Sequence, residues 1–191
     1  MPERSARQPR RDAALNRERV LDAATDLVRR EGEKVPMADI AGLAGVGVGT
    51  VYRHFPTRED LMGAMVHRSF TMALSHARAA AAHPGPAGEA IRDYLAGIVR
   101  DRDRFILPLQ GGPLIFTAAI RELQGEIRGV LQVLLDRGKA AGEIRPDLSP
   151  EDVIVTSAVL ARPLPAIDDW DMRANRYIEL LVNGIRADGP G

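Results

Sequence analysis

The chain has 191 residues, 26 basic and 26 acidic side chains, no cysteine and a hydrophobic content of 45%. That length supports one large domain or two small ones with a sizeable core, and the lack of thiols excludes disulfides, thiolate metal sites and thiol redox sensing, leaving a reducing cytoplasm as the expected compartment. No stretch approaches the roughly 18 apolar residues of a membrane span, and the charged N-terminus lacks the apolar segment of a secretory signal.

Residues 1–12 are polar, contain two prolines and show no periodicity, which predicts a disordered arm. Residues 1–20 hold six arginines (4, 7, 10, 11, 17 and 19) against Glu3, Asp12 and Glu18. Such an arm could track phosphates or simply keep the chain soluble. From about Ala13 to Arg30, Val20, Leu21, Ala24, Leu27 and Val28 form a helical stripe that Gly32 stops. A second helix is expected at Met37–Ala44, with Ile40, Ala41 and Ala44 on one face. Gly45-Val46-Gly47 interrupts it, and Val51 and Phe55 restart the stripe over about Gly49–His54, until Pro56 disfavours helix in the residue before it.

Two short helices joined by a glycine-containing turn predict a helix-turn-helix, whose second helix enters the major groove of DNA. That helix carries Thr50, Tyr52, Arg53 and His54, side chains suited to phosphates and base edges; the alternative for Tyr52 is a buried ring capping the first and fourth helices. Gly45-Val46-Gly47-Val48-Gly49-Thr50 also invites comparison with phosphate-cradling loops. It ends in Thr50 where a dinucleotide fingerprint needs glycine, has no lysine for a Walker loop, and follows a helical pattern rather than a strand.

Thr57-Arg58-Glu59-Asp60 carries a capping-box pattern that opens a fourth helix running to about Ala82, where His83-Pro84-Gly85-Pro86 breaks it. Further helices are expected over about Ala87–Arg102, over a short stretch from Arg104 to Gln110 interrupted by Pro108, and over about Leu114–Ala141. Ser149-Pro150-Glu151-Asp152 opens another that Pro163 and Pro165 end, and the last runs from about Trp170 to Ala187. The expectation is an all-α protein of about nine helices, with a disordered basic arm at 1–12, a helix-turn-helix domain at 13–57 and a second helical domain at 58–191.

The residues from Arg17 to about Leu61 resemble the DNA-binding domain of TetR-type one-component repressors. The first helix, ending in glycine, and Val51-Tyr52-Arg53-His54-Phe55-Pro56-Thr57-Arg58-Glu59-Asp60-Leu61 are similar to the family's opening helix and its recognition helix running into a linker helix. The resemblance implies that Val48, Gly49 and Arg53 lie near base edges and that Thr50, Tyr52 and His54 lie near phosphates. Arg58 aligns with a cationic phosphate contact. Many relatives place threonine at the start of the second helix; here the chain reads Val35-Pro36-Met37. Pro36 offers neither hydroxyl nor N–H, so the amides of the first turn, from Met37 on, are left to meet a phosphate.

In the second region Met62, Met65, Phe70, Tyr94, Phe105, Phe116 and Trp170 are the expected lining of an effector cavity for a largely apolar small molecule. Val153, Ile154, Ser157, Ala158 and Ala161 on the eighth expected helix, with Tyr177, Ile178, Leu181 and Ile185 on the ninth, are the expected homodimer faces. His67, His76 and His83 form no metal motif, Ser69 and Ser75 have no nucleophile elbow, and no cofactor is implied. The expected function is therefore a sequence-specific transcriptional regulator of the repressor type, released from a palindromic operator by an effector. Its rivals are a helical ligand-binding or scaffold protein without DNA activity and an enzyme built on a helical bundle.

Overall fold

The computed structural model describes residues 7–108, 112–164 and 167–187, the first five as backbone alone. Among these residues the elements are α1 (Arg7–Glu31), α2 (Met37–Ala44), α3 (Val48–His54), α4 (Arg58–Ala81), α5 (Ala87–Arg100), a 3-10 turn (Arg102–Arg104), α6 (Ala118–Ala140), α7 (Pro150–Leu160) and α8 (Trp170–Gly184). The fold is all-α.

The first helix begins six residues before the expected start at Ala13, so Arg7–Asp12 extends the helix rather than belonging to a disordered arm. Pro9 falls in the first turn, where a missing N–H costs no intrahelical bond. The turn between α2 and α3 is built on Gly45, which is left-handed at φ 65°; Val46 N–H donates to the Ala41 carbonyl at 3.1 Å and Gly45 N–H to that of Gly42 at 3.1 Å. These bonds satisfy the carbonyls left open at the end of α2. Phe55 closes α3 with φ −137° and ψ 86°, the extended conformation that Pro56 imposes. The capping boxes expected at Thr57/Asp60 and Ser149/Asp152 are both formed.

Of the helix expected from Arg104 to Gln110, Arg104 ends the 3-10 turn and Pro108 has 3-10 geometry, but Phe105, Ile106 and Leu107 are not helical, and residues 109 and 110 lie outside the described residues. After the 3-10 turn, Phe105 is extended, and successive side chains of an extended chain point to opposite sides. Phe105 accordingly enters one core and Ile106 the other. Helix α6 begins at Ala118, not Leu114, because Thr117 caps it by accepting from Ile120 N–H at 3.2 Å. Among the described residues eight α-helices thus stand where about nine were expected.

Two cores result. The head core joins Val20, Leu21, Ile40, Val51, Phe55, Leu61 and Met65 with Ile106 and Ile120. The body core joins α4, α5, α6, α7 and α8 around Leu95, Ile98, Leu131, Leu135 and Ile178. Helix α4 belongs to both and packs along α5 and α6; its 24 residues span about 36 Å at the helical rise. Phe70, on α4, packs against both cores. No helix among the described residues is long and apolar enough to cross a membrane.

Candidate nucleic-acid interface and body cavity

Helix α3 buries one face and exposes the other. Val51 is fully buried, while Val48, Gly49, Tyr52 and Arg53 are exposed and Thr50 and His54 half-buried. Tyr52 is 49% exposed, so its ring does not cap the first and fourth helices. The helix therefore presents a continuous outward face of hydroxyl, guanidinium and small residues, held on a rigid apolar seat. The guanidinium of Arg17, on α1, lies 5.2 Å from the centre of the Phe55 ring, which brings another cation beside the end of α3.

Two expected contacts differ. Met37 is only 6% exposed and its side chain fills the head core, because it lies on the same face of α2 as Ile40, Ala41 and Ala44. Arg58 donates from Nη1 to the Glu33 carbonyl at 2.8 Å, so it ties the start of α4 to the loop after α1.

In the body, a cavity of about 540 Å³ lies between α4, α5, α6 and α7, within the usual range for small-molecule sites. Phe70, Ala73, Ile98 and Ile154 supply apolar wall, and Tyr94 and Ser157 a polar pair in it. Tyr94 is buried. Burial pushes its phenol above the usual tyrosine range, and a hydrogen bond with Ser157 works in the opposite direction, so the phenol is neutral. Arg121, Gln124, Arg128 and Glu151 complete one side, with Arg128 Nε donating to Glu151 Oε1 at 2.5 Å.

Residues 20–65 match the family model for bacterial regulatory proteins of the tetR family, and residues 109–187 match that for the C-terminal domain of SbtR-like transcriptional regulators. A TetR transcription regulatory protein from Mycobacterium vanbaalenii is 31% identical, covers 93% of this chain and is itself covered over 99%, with a TM-score of 0.67. The chain belongs to the TetR family.

A second TetR-family structure, a transcriptional regulator from Streptomyces coelicolor, is 29% identical over 91% of this chain and 99% of its own, at a TM-score of 0.59. The FadR regulator of Bacillus subtilis, solved with stearoyl-CoA, shares the fold at 20% identity and a TM-score of 0.68, covering 88% of this chain and 98% of its own. An HTH-type transcriptional regulator of Staphylococcus aureus is 38% identical over 68 residues. That match spans 35% of this chain and 37% of the curated relative.

Of the seven residues expected to line a cavity, this TetR-family body brings together Phe70, Tyr94 and Phe116. Met62 and Met65 instead fill the head core, since the first two turns of α4 belong to that cluster, where α4 packs on α1, rather than to the body. Phe105 and Trp170 lie in the body core, and the Trp170 indole N–H donates to the Leu160 carbonyl at 2.8 Å, closing the gap between α7 and α8. The expected dimer faces also need correction. Val153, Ser157, Ala158, Ala161, Ile178 and Ile185 point into their own protomer, whereas Val155 and Val159 on α7 and Tyr177 and Leu180 on α8 are exposed.

Several residues that matter here had no sequence signal. Arg68 Nη1 reaches Asp22 at 2.7 Å, and its Nη2 donates to the Leu21 carbonyl at 3.2 Å and to Thr25 Oγ1 at 2.9 Å, binding α4 to α1. Ser69 Oγ donates to the Met65 carbonyl at 2.9 Å and accepts from Ile106 N–H at 2.9 Å. Their partners on α1 and at Ile106 lie 37 to 47 residues away, so no local spacing reveals them. Only the spacing of Arg121, Gln124 and Arg128, three and four residues apart, could have flagged a polar face on α6.

Proposed function

We propose that the protein is a homodimeric transcriptional repressor that places α3 of each subunit in the major groove of a palindromic operator and leaves it when a small molecule fills the body cavity. The observation that carries this is the outward face of α3, where Val48, Gly49, Thr50, Tyr52 and Arg53 surround the buried Val51. A long guanidinium beside two small residues suits bidentate recognition of guanine, and the Thr50 and Tyr52 hydroxyls suit phosphates. His54 and Arg58 add donors at the far end of α3 and the start of α4, and the first-turn amides of α2 at Met37 remain a phosphate site.

The route from cavity to head is short. Phe70 lines the cavity and packs on the head core, and Leu107 lines it next to Ile106, which sits in that core. A ligand that moves this wall changes the seat of α4 and so the spacing of two recognition helices, which must match DNA half-sites about 34–36 Å apart. The ligand then has different affinities for the free and operator-bound conformers, which is the condition for release.

Operator binding tests the assignment. Arg53→Ala should cost about 1–3 kcal/mol and relax specificity at one base position, whereas Thr50→Ala should weaken all sequences alike. A mobility shift on DNA upstream of the gene measures both. Retention of full affinity by both variants, or no salt-dependent binding at all, would leave a helical ligand-binding protein in its place.

A further inference from the structure

Helix α6 presents one face to the cavity, formed by Arg121, Gln124, Gly125 and Arg128. These residues recur at helical spacing and so stack over two turns. Arg121 spends Nη1 on the Phe116 carbonyl at 2.8 Å, and Arg128 spends Nε on Glu151. Each guanidinium carries five N–H donors, so most of both remain for other acceptors. The charged residues lining the cavity are then two arginines against the single carboxylate of Glu151.

Gly125 lies between the two arginines. Gly125 lines the cavity, and a Cβ built there would meet nothing within 4 Å, so the space beside the backbone is open. Glycine weakens a helix interior relative to alanine, and here it sits with an arginine one turn before it and one turn after it along α6. The walls away from α6 are mostly apolar, from Phe70, Ala73, Ile98 and Ile154, with Tyr94 and Ser157 the polar pair among them. Cationic fork on one side and hydrocarbon on the other make the cavity itself amphipathic.

We propose that the cavity takes an amphipathic anion, with its head between Arg121 and Arg128 over Gly125 and its apolar body along Phe70, Ile98 and Ile154. The proposal rests on the body cavity being the effector site and names its ligand class. A planar carboxylate matches the guanidinium fork and competes with Glu151 for Arg128. A neutral amphiphile of equal length loses those bonds, and a cationic one meets two like charges.

The test is calorimetric titration of the full chain with dodecanoate, dodecan-1-ol and dodecyltrimethylammonium, each below its micelle concentration. Dodecanoate should bind at least about tenfold more tightly than the alcohol, and the cation more weakly than both. Arg121→Gln combined with Arg128→Gln should bring dodecanoate to the level of the alcohol and leave the alcohol unchanged. Glu151→Gln, which removes the competing carboxylate, should strengthen dodecanoate binding. Equal affinities for acid and alcohol, preference for the cation, no binding of any of the three, or a Glu151→Gln variant that binds dodecanoate no better would each overturn the proposal. An operator complex that ignores saturating bound dodecanoate would overturn the release step alone and leave the anion site standing.

Discussion

Val51 and Tyr52 are neighbours in sequence and opposites in environment: the first is fully buried and the second is 49% exposed. A helix turns each residue about 100° from the last, so one short element can serve as both core and reading surface. The same economy governs Gly97 on α5. His76 Nε2 lies 2.9 Å from Asp101 Oδ2, and the imidazole passes directly over Gly97, where a Cβ would meet Nδ1 at 2.6 Å. Glycine is required there by a neighbour's ring and not by its own backbone angles. Gly97→Ala should push His76 away from Asp101 and from the Phe105 ring, whose centre lies 6.4 Å off, at a cost of about 1–3 kcal/mol in denaturant unfolding. An unchanged midpoint would mean that α4 and α5 separate freely at this contact.

At the scale of elements, α4 is the helix that belongs to both cores. Arg68 clamps it to α1, and one residue later Ser69 holds the extended chain at Ile106. Ser69 is buried, so Ser69→Ala leaves the Ile106 N–H without its acceptor, at a cost of about 1–3 kcal/mol. We expect the variant also to reduce the difference in effector affinity with and without operator, which titrations on both forms would measure. Loss of stability with that difference intact would assign Ser69 to the core alone. Helix α7 depends instead on charge at its entrance. The Arg145 hydrogen bond lowers the Asp147 carboxyl, Glu151 is lowered by its own amide and then by Arg128, and Asp152 by the Ser149 hydroxyl and amide. Carboxyls with lowered values in the folded chain stabilise it above the usual carboxylate range, and that contribution fades as pH falls through it. Cooling of the melting transition between neutral pH and about pH 3 should therefore be smaller in Asp152→Asn than in the parent protein. Identical acid profiles would remove the cap from the account of α7.

For the whole molecule, the outward side of α7 and α8 is the unusual surface. Val159 is 63% exposed and Leu180 56%, with Val155 and Tyr177 on the same helices. On α8, Arg173, Tyr177, Leu180 and Gly184 recur at three- and four-residue intervals, the stripe of a helix that packs on another. Two copies of this surface meeting across a two-fold axis would cover it. Leu180→Arg should yield folded monomers, because the side chain is exposed within the protomer and only the dimer would bury its charge. Sedimentation at micromolar concentration reads the result, and a parent protein already monomeric under those conditions would sink the interface.

Hydrophobic spacing and punctuation by themselves determined most of the helices, because a buried stripe at three- and four-residue intervals is local information. Gly45, Pro56, Thr57 and Ser149 act within a single turn, so the turn and both capping boxes were legible, and with them the outward residues of α3. The beginning of α1 at Arg7 and the extended run through Ile106 were not, since Pro9 is tolerated in a first turn and Ile106 is drawn into place by Ser69, 37 residues away. Periodicity also identifies a buried face without saying whose core it enters. Met62 and Met65 serve the head and Phe70 both cores, while Ala158 and Ile178 face inward where a partner had been expected. Those assignments depend on how long helices cross, which is set by packing between segments distant in the chain, and only the tertiary structure decided them.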